Sequence, residues 1–301
     1  MPTTRVNGRT AMSGVSATDH HAVTADGVTL ALARYAGTVK HNVPVLFTHG
    51  LFSNRQVCAP LAQYLAREGF DCWVLELRGH GASQTPGSKP HPDAWGLYDV
   101  PAAVEAVRAV TGESSVQLVA HSVGGLAFLM HLARRPECRT RVSGFVMLGC
   151  HATGMYSTLQ SRLAADAVRL GMAVLGYAPG PAWRLGPENE PKSVMDVCIG
   201  WSRTRRWVGA DGCDYLAALA DLRVPLWSLA GAGDHAIAPA VACRQLYEAI
   251  GSPWKRWTLC GRAEGFAEDF THVRLMVSRA AQREIWPRIG EWLTQSELLD
   301  D

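Results

Sequence analysis

Short, nearly continuous apolar runs recur along the chain, and segments with helical spacing separate them. Runs that predict strands buried on both faces cover residues 43–50, 70–79, 116–120, 142–150, 225–231 and 254–261. Helix-like segments cover 60–69, 99–112, 124–136 and 240–251, and the last helix places Ile285, Ile289, Trp292 and Leu293 on one stripe. Residues 20–37 alternate around Asp26-Gly27, which predicts a hairpin. The whole pattern predicts an α/β fold, with a mostly parallel sheet and helices on both of its faces.

The segment 151–222 breaks this alternation. It contains a helix-like stretch at 163–178, a loop rich in proline and glycine at 179–191, and no convincing strand pattern. One helical stripe, which we expect to dock on the sheet, consists of Leu159, Leu163, Ala167, Leu170 and Val174. Residues 170–178 carry no charge and are apolar on every face. We therefore interpret 151–222 as a helical insertion that caps the sheet.

The parts of the chain on either side of this insertion carry the strand pattern. We expect them, residues 20–150 and 223–301, to form one core. Residues 1–19 are polar and lack the apolar stretch of a signal peptide, so they are expected to form a tail outside that core.

Composition narrows the classes of protein to consider. The chain has 301 residues, of which 48% are hydrophobic, and a formal net charge of +2, which does not suggest a surface for nucleic acid. No apolar stretch reaches the ~18 residues of a transmembrane helix. The eight cysteines form no CxxC pair, and no histidine cluster completes a zinc pattern. We expect reduced thiols in a cytoplasmic protein without a metal or organic cofactor. Nothing in the sequence indicates the oligomeric state.

The most informative stretch is "VQLVAHSVGG" at 116–125, where a buried run leads directly into Ser122. Ligands of an open α/β sheet bind at the carboxyl ends of its strands, and Ser122 lies at such an end, just before a helix. A serine on this kind of sharp turn exposes its hydroxyl above the sheet. Small residues are needed two positions on either side because these positions approach each other, and here they are Ala120 and Gly124. Ser122 is thus a candidate nucleophile.

Four motifs, in this order along the chain, resemble those of the α/β-hydrolase superfamily. "THGLFSN" (48–54) resembles its His-Gly oxyanion loop, and "ELRGHGAS" (76–83) resembles its D-x-R-G-H-G-x-S loop, with Glu76 for the aspartate. "AHSVG" (120–124) resembles the G-x-S-x-G nucleophile elbow, with alanine for the first glycine. Residues 269–293 resemble the end of bacterial members related to acid-lipase-type esterases. The resemblance spans about residues 25–295 and implies an α/β-hydrolase fold with a helical cap and a serine esterase or lipase-like site.

A catalytic serine needs a base within hydrogen-bond reach, and the base needs a carboxylate that orients it. In the α/β-hydrolase fold these groups follow in the order serine, acid, histidine. Asp234 follows the run at 225–231, and His272 follows the last predicted strand, so we expect a triad of Ser122, Asp234 and His272. The choice of His272 rests mainly on the resemblance of its flanking sequence. The alternatives are Glu264, Glu268 and Asp269 for the acid, and His235, His151 and His121 for the base.

The charge that forms on the substrate oxygen needs two preorganised N–H donors. We expect them to be the backbone amides of Leu51, after the His-Gly pair, and Val123, after the nucleophile. The insertion and the loops around the triad are expected to line an apolar substrate pocket. The candidate pocket residues are Phe52, His121, His151, Met172, Leu175, Tyr177 and His235.

These features favour a serine hydrolase that cleaves a carboxylic ester of a fairly apolar small molecule or lipid through an acyl-enzyme. The same triad also serves acyltransferases, thioesterases and carbon–carbon bond hydrolases, and the sequence does not separate these activities. A non-catalytic ligand-binding protein of this fold is a second class. Serine at the nucleophile position argues against haloalkane dehalogenase and epoxide hydrolase chemistry, because similar enzymes with those activities use aspartate.

Overall fold

The centre of the molecule is a single eight-stranded sheet. The computed structural model describes residues 15–87, 89–156 and 159–297. The strands of the sheet are β1 (Ala17–Val23), β2 (Thr29–Ala36), β3 (Val45–Thr48), β4 (Asp71–Leu75), β5 (Val116–His121), β6 (Val142–Leu148), β9 (Leu226–Gly231) and β10 (Lys255–Cys260). They lie in the order β1-β2-β4-β3-β5-β6-β9-β10. All neighbours from β4 to β10 pair in parallel, whereas β2 pairs antiparallel with both β1 and β4. This is the sheet of the α/β-hydrolase fold, as the sequence predicted.

Helices cover both faces of the sheet, and a hydrophobic layer lies between the sheet and the helices on each face. They are α1 (Arg55–Glu68), α2 (Val100–Thr111), α3 (Val123–Arg134), α4 (Leu159–Leu175), α5 (Gly180–Trp183), α6 (Lys192–Thr204), α7 (Tyr215–Leu219), α8 (Ala240–Ala249), α9 (Arg274–Val277), α10 (Arg279–Glu284) and α11 (Trp286–Glu297). Apolar residues of α1, α10 and α11 bury one face of the sheet, and those of α2, α3 and α8 bury the other. The central strands are apolar throughout because both of their faces are covered.

Helix α1 begins earlier than the apolar pattern indicated. The sequence predicted a helix over 60–69 that starts at Pro60, but the helix begins at Arg55 and contains the proline. Asn54 is the reason, because its side chain accepts a hydrogen bond from the amide of Gln56 and caps the first turn. The predicted end is confirmed, since Gly69 adopts a φ of 108° just after the last helical residue.

The predicted hairpin around Asp26-Gly27 is confirmed, but its first strand starts inside the segment predicted as a tail. Residues 17–19 belong to β1 and pair with residues 33–35 of β2, so the boundary at residue 19 was wrong. Residues 17–19 lie at an exposed edge of the sheet, and their polar and apolar side chains alternate too weakly for the start of the strand to be recognised from the sequence. The rest of the predicted tail, residues 1–14, lies outside the described residues.

The described residues between β6 and β9 add no strand to the main sheet. It contains helices α4 to α7 and a short antiparallel ribbon of β7 (Tyr177–Ala178) and β8 (Glu190–Pro191). The sequence predicted a helical insertion with one helix-like stretch at 163–178, but α5 lies within the segment predicted as a loop. The ribbon was missed because strands of two residues have no readable periodicity. The ribbon closes the loop rich in proline and glycine, and it brings residues 188–190 back to the edge of the main sheet where the strands end.

Helix α4 presents the opposite face to the one predicted. The stripe that was expected to dock on the sheet faces solvent, with Leu170 at 71% and Val174 at 82% exposure. The helix instead buries Ala165 and Met172 in a small core, which they share with Phe52 and Met195. The prediction failed because both stripes are apolar, and helical spacing alone does not tell which of two apolar stripes finds a partner.

This orientation has a measurable consequence for stability. Leu170→Gln and Val174→Gln should each change the free energy of unfolding by less than about 0.5 kcal/mol, because exposed side chains lose little when they become polar. Met172→Ala should cost about 2–4 kcal/mol, because it leaves a cavity in a packed cluster. Urea unfolding of the three variants measures both quantities. A cost for Leu170→Gln as large as that of Met172→Ala would contradict the described orientation of α4.

Candidate active site

Ser122 lies on the turn between β5 and α3. Its φ of 58° and ψ of −130° place it in a region that non-glycine residues rarely adopt. Gly50 makes room beside it, because a Cβ at that position would lie 2.7 Å from the Cβ of Ser122. At Gly124 a Cβ would lie 2.6 Å from the carbonyl oxygen of His49. The sequence motif suggested that position 124 must be small because of Ala120, but the close neighbour of Gly124 is the chain at the end of β3, Thr48 and His49.

A buried hydrogen bond joins the expected base and acid. His272 Nδ1 and Asp234 Oδ2 lie 2.8 Å apart, and both side chains are almost fully buried. The amide of Ile237 donates to the other carboxylate oxygen at 3.1 Å. Burial opposes ionisation of Asp234, but the hydrogen bond and charge of His272 and the loop amides outweigh it and hold the pKa of the carboxyl below its usual value. The bond leaves Nε2 of His272 as the ring nitrogen available to a reacting group.

Two of the rival acids, Glu268 and Asp269, have other partners. Glu268 forms an ion pair with Arg274, with 3.0 Å between Oε1 and Nε. Asp269 accepts a hydrogen bond of 2.8 Å from the amide of Arg262. Of the carboxylates considered from the sequence, Asp234 is thus the one that the structure brings to His272.

Ser122 and His272 open into the same cavity, which has a volume of about 540 Å³. Its wall combines loops at the carboxyl ends of the strands with α4 and α6 of the insertion. No hydrogen bond joins Ser122 Oγ to His272 in the described part of the chain. Such contacts are often long in a site without substrate and tighten when substrate binds. The arrangement is that of a nucleophile and a base facing one binding space.

Two backbone amides that could bind a negative charge lie beside Ser122 on the cavity wall. Val123 is the first residue of α3, so its N–H has no partner within the helix. Leu51 follows Gly50 in the loop after β3, and both residues line the cavity. Among the described residues, neither the Leu51 amide nor the Val123 amide donates a hydrogen bond. These are the two amides that the sequence analysis selected as oxyanion donors.

Three of the predicted pocket residues lie on the cavity wall: Phe52, His121 and His151. The prediction for the others is corrected by the structure, since Met172, Leu175, Tyr177 and His235 do not line the cavity. Met172 is fully buried in the core of the insertion, whereas the other three side chains are exposed. For Met172 and Leu175 the physical reason is the orientation of α4, which buries Met172 in the core of the insertion and leaves Leu175 in solvent. Tyr177 in β7 and His235 after β9 have exposed side chains outside the cavity.

The two additional histidines of the wall are held neutral. Burial is the main cause, and it lowers the pKa of His121 to about 3 and that of His151 to about 4. His121 Nε2 lies 3.2 Å from the carbonyl oxygen of His272 and therefore donates to it. Both rings have a buried Nδ1 without a hydrogen-bond partner in the described chain. Neutral imidazoles in these positions add no competing positive charge near His272.

Most of the apolar wall was not recognised from the sequence. It includes Val168 and Trp183, together with Met195, Cys198, Ile199 and Trp201 of α6. A signal existed for α6, because Met195, Ile199 and Ser202 have the i, i+4, i+7 spacing of one helical stripe and all three line the cavity. That stripe predicts a buried face, but the fold is needed to decide what the face covers.

A buried carboxylate of the insertion was also missed. Glu190 is fully buried, and its Oε1 accepts hydrogen bonds from the amide of Phe52 at 2.6 Å and from His80 Nε2 at 2.8 Å. Burial opposes the charge of His80, but Glu190 and the carbonyl of Arg78 outweigh it and raise the pKa of His80 to about 9. This pair cannot be recognised from the sequence, because a glutamate 110 residues away from His80 leaves no local signal.

The described residues contain no group of three or more His, Cys, Asp or Glu side chains arranged to hold a metal ion. No helix among them combines the length and the apolar character that crossing a membrane requires.

Comparisons with known proteins agree with this architecture. A family model for the alpha/beta hydrolase fold matches residues 43–172. Lipase 3 of Drosophila melanogaster is 31% identical over 228 residues, which is 67% of this chain and 53% of Lipase 3. A tear acid lipase-like protein of Mesocricetus auratus is 31% identical over 140 residues, or 38% of this chain and 34% of that protein. The chain thus spans about half, or less, of the curated relatives it matches.

Solved structures show the same fold over almost the whole chain. A thermophilic esterase from Thermogutta terrifontis aligns with a TM-score of 0.64 at 19% identity, covering 93% of this chain and 99% of that one. An esterase from Pyrococcus furiosus aligns with a TM-score of 0.65 at 17% identity, covering 94% and 91%. Together with the eight-stranded sheet, the matching family model and the sequence relatives show that the chain belongs to the α/β-hydrolase superfamily, in which it is similar to lipases.

Proposed function

We propose that the protein hydrolyses carboxylic esters through an acyl-enzyme. Ser122 Oγ attacks the ester carbonyl while His272 Nε2 takes the hydroxyl proton, and His272 then returns this proton to the leaving alcohol. Asp234 fixes the ring by its 2.8 Å hydrogen bond to Nδ1 and stabilises the imidazolium that forms. Water, deprotonated by His272, releases the acid and restores Ser122.

The observation that carries this proposal is the conformation and place of Ser122. It has a positive φ on the turn that follows β5, and the cavity that it lines is also lined by a histidine already paired with a carboxylate. A strained non-glycine residue of this kind persists only where the surrounding structure holds it, and such residues cluster at functional sites.

The amides of Leu51 and Val123 are proposed to bind the oxygen of the tetrahedral intermediate. Both lie beside Ser122 on the cavity wall and have their N–H groups free in the described chain. The Val123 amide also begins α3, so the partial positive charge of the helix N-terminus adds to its interaction with an anion.

The cavity favours an ester with an apolar acyl or alcohol part. Its insertion side is formed by Val168, Trp183, Met195, Ile199 and Trp201, which offer mainly apolar surface. We therefore propose that residues 151–222 act as a cap that encloses the non-reacting part of the substrate. A volume of about 540 Å³ accommodates a small molecule or the end of a lipid chain.

Loss of the nucleophile should abolish turnover without unfolding the protein. We expect Ser122→Ala to lower kcat on p-nitrophenyl butyrate by on the order of 10⁴-fold or more. The wild type, but not this variant, should be labelled by a fluorophosphonate, and circular dichroism should show that both are folded. Retention of most of the activity by folded Ser122→Ala would overturn the proposed mechanism.

Removal of the proposed acid should be far more costly than removal of its rival. Asp234→Asn should lower kcat by about 10³- to 10⁴-fold, because the amide no longer stabilises the reactive tautomer and the imidazolium of His272. Glu268→Gln, which makes the same chemical change in an ion pair with Arg274, should keep kcat within about 2-fold. Steady-state kinetics of the two folded variants decides the assignment, and the reverse ranking would show that Asp234 is not the acid.

The dependence on acyl-chain length should report the shape of the cavity. Each added methylene should raise kcat/KM about 4-fold, since burying a CH₂ group contributes about 0.8 kcal/mol, until the cavity is full. Ile199→Trp, in which a larger side chain on the wall fills part of the cavity, should move the plateau to shorter p-nitrophenyl esters. Leu170→Trp places the same side chain on the exposed face of α4 and should leave the profile unchanged. Identical profiles for both variants would place the acyl chain elsewhere.

A further inference from the structure

The insertion sends one fully buried carboxylate into the loop that follows β3. Glu190 lies in β8, and its Oε1 is 2.6 Å from the backbone nitrogen of Phe52, 138 residues earlier in the chain. Its other oxygen, Oε2, has no hydrogen-bond partner in the described chain. Burying a carboxylate is costly, so the buried position of Glu190 indicates a specific interaction rather than general packing.

The Phe52 amide belongs to one of two peptide groups that flank Leu51, and both are held. On the other side, the Gly50 carbonyl oxygen lies 2.9 Å from His49 Nδ1. His49 Nε2 accepts a hydrogen bond from the amide of Leu77, so the ring proton is on Nδ1 and is donated to Gly50. Burial, the main cause, lowers the pKa of His49 to about 3 and keeps this neutral form.

These two contacts fix the direction of the Leu51 N–H. In a trans peptide the C=O and the N–H point in opposite directions, so the bond from His49 to the Gly50 oxygen turns the Leu51 N–H away from His49. The bond from the Phe52 amide to Glu190 holds the next peptide group. The orientation of Leu51 is therefore set by one residue of the core and by one residue of the insertion.

The conformation of Phe52 shows why the loop needs this support. Its φ of 59° is left-handed, which is unfavourable for a residue with a side chain. The backbone of the insertion also binds Phe52, because the Glu188 amide donates a hydrogen bond to the Phe52 carbonyl oxygen at 3.1 Å. At Gly186 a Cβ would lie only 2.0 Å from that oxygen. Segment 186–190 thus holds both polar backbone groups of Phe52.

We propose that Glu190 is a positioning residue, which holds the Leu51 amide in the direction that an oxyanion requires. The inference rests on the proposed function, because it takes Leu51 as an oxyanion donor. The insertion then does more than enclose substrate, because its Glu190 accepts the hydrogen bond that holds the loop carrying the Leu51 amide. His80 supports the carboxylate, since its two ring nitrogens donate to Glu190 and to the Arg78 carbonyl and make it an imidazolium.

The test uses Glu190→Met, which keeps the length of the side chain but removes the acceptor, and Glu190→Gln, which retains one acceptor oxygen. Loss of one oxyanion donor lowers kcat by about 10²- to 10³-fold in comparable enzymes. Because the Leu51 N–H is misdirected rather than deleted, we expect Glu190→Met to lower kcat about 30- to 100-fold with KM within about 2-fold. Glu190→Gln should recover most of this loss.

A pair of inhibitors separates positioning from general damage. A trifluoromethyl ketone bearing the acyl chain of a good substrate forms a hemiketal oxyanion with Ser122, whereas the corresponding secondary alcohol fills the cavity without an oxyanion. In Glu190→Met the affinity for the ketone should fall by the same factor as kcat/KM, and the affinity for the alcohol should stay within about 2-fold. Asp211→Asn, an acid-to-amide change in another ion pair of the insertion, should alter neither affinity.

Three results would overturn the role of Glu190. They are a kcat within 3-fold of wild type in folded Glu190→Met, an equal loss of ketone and alcohol affinity, and no recovery in Glu190→Gln. Where Glu190→Met does not fold, the double variant His80→Phe/Glu190→Met also removes the unpaired charge and is judged by the same criteria. Wild-type protein that forms no adduct with the ketone would instead overturn the proposed function itself.

Discussion

The site depends on the close approach of the chain after β3 to the start of α3. A Cβ at Gly50 would lie 2.7 Å from the Cβ of Ser122, and a Cβ at Gly124 would lie 2.6 Å from the carbonyl oxygen of His49, so the two segments pack too closely for a side chain at either position. This contact allows the positive φ of Ser122 and places the Leu51 and Val123 amides on the same side of the cavity. Without it, the serine would be one more residue buried at the end of a strand.

The remaining groups reach this point because parallel strands end at the same edge of the sheet. Asp234 follows β9 and His272 follows β10, and their hydrogen bond forms where the two loops meet. Burial opposes the charge of Asp234, so the carboxylate stays ionised because of its contacts with His272 and the loop amides. The same burial keeps His121 and His151 neutral, so neither adds a positive charge beside this pair.

The insertion is connected to this site through polar contacts as well as through apolar packing. Met172 and Met195 form its core with Phe52, and Glu188 and Glu190 bond to the loop that carries Phe52. A structural change in the insertion would therefore be transmitted to the loop next to Ser122. On the outer side, α4 leaves an apolar stripe at Leu163, Leu170 and Val174 exposed to solvent.

The sequence determined those features that depend on local pattern. Continuous apolar runs gave the buried strands, and the small residues around Ser122 marked the turn, because both follow from which side chains fit a few neighbouring positions. The tertiary structure alone decided which apolar stripe of α4 is buried, which residues of α6 line the cavity and where the carboxylate of Glu190 binds. These depend on partners that are distant in the chain, as far as 138 residues for Phe52 and Glu190, and spacing along the sequence contains no information about them.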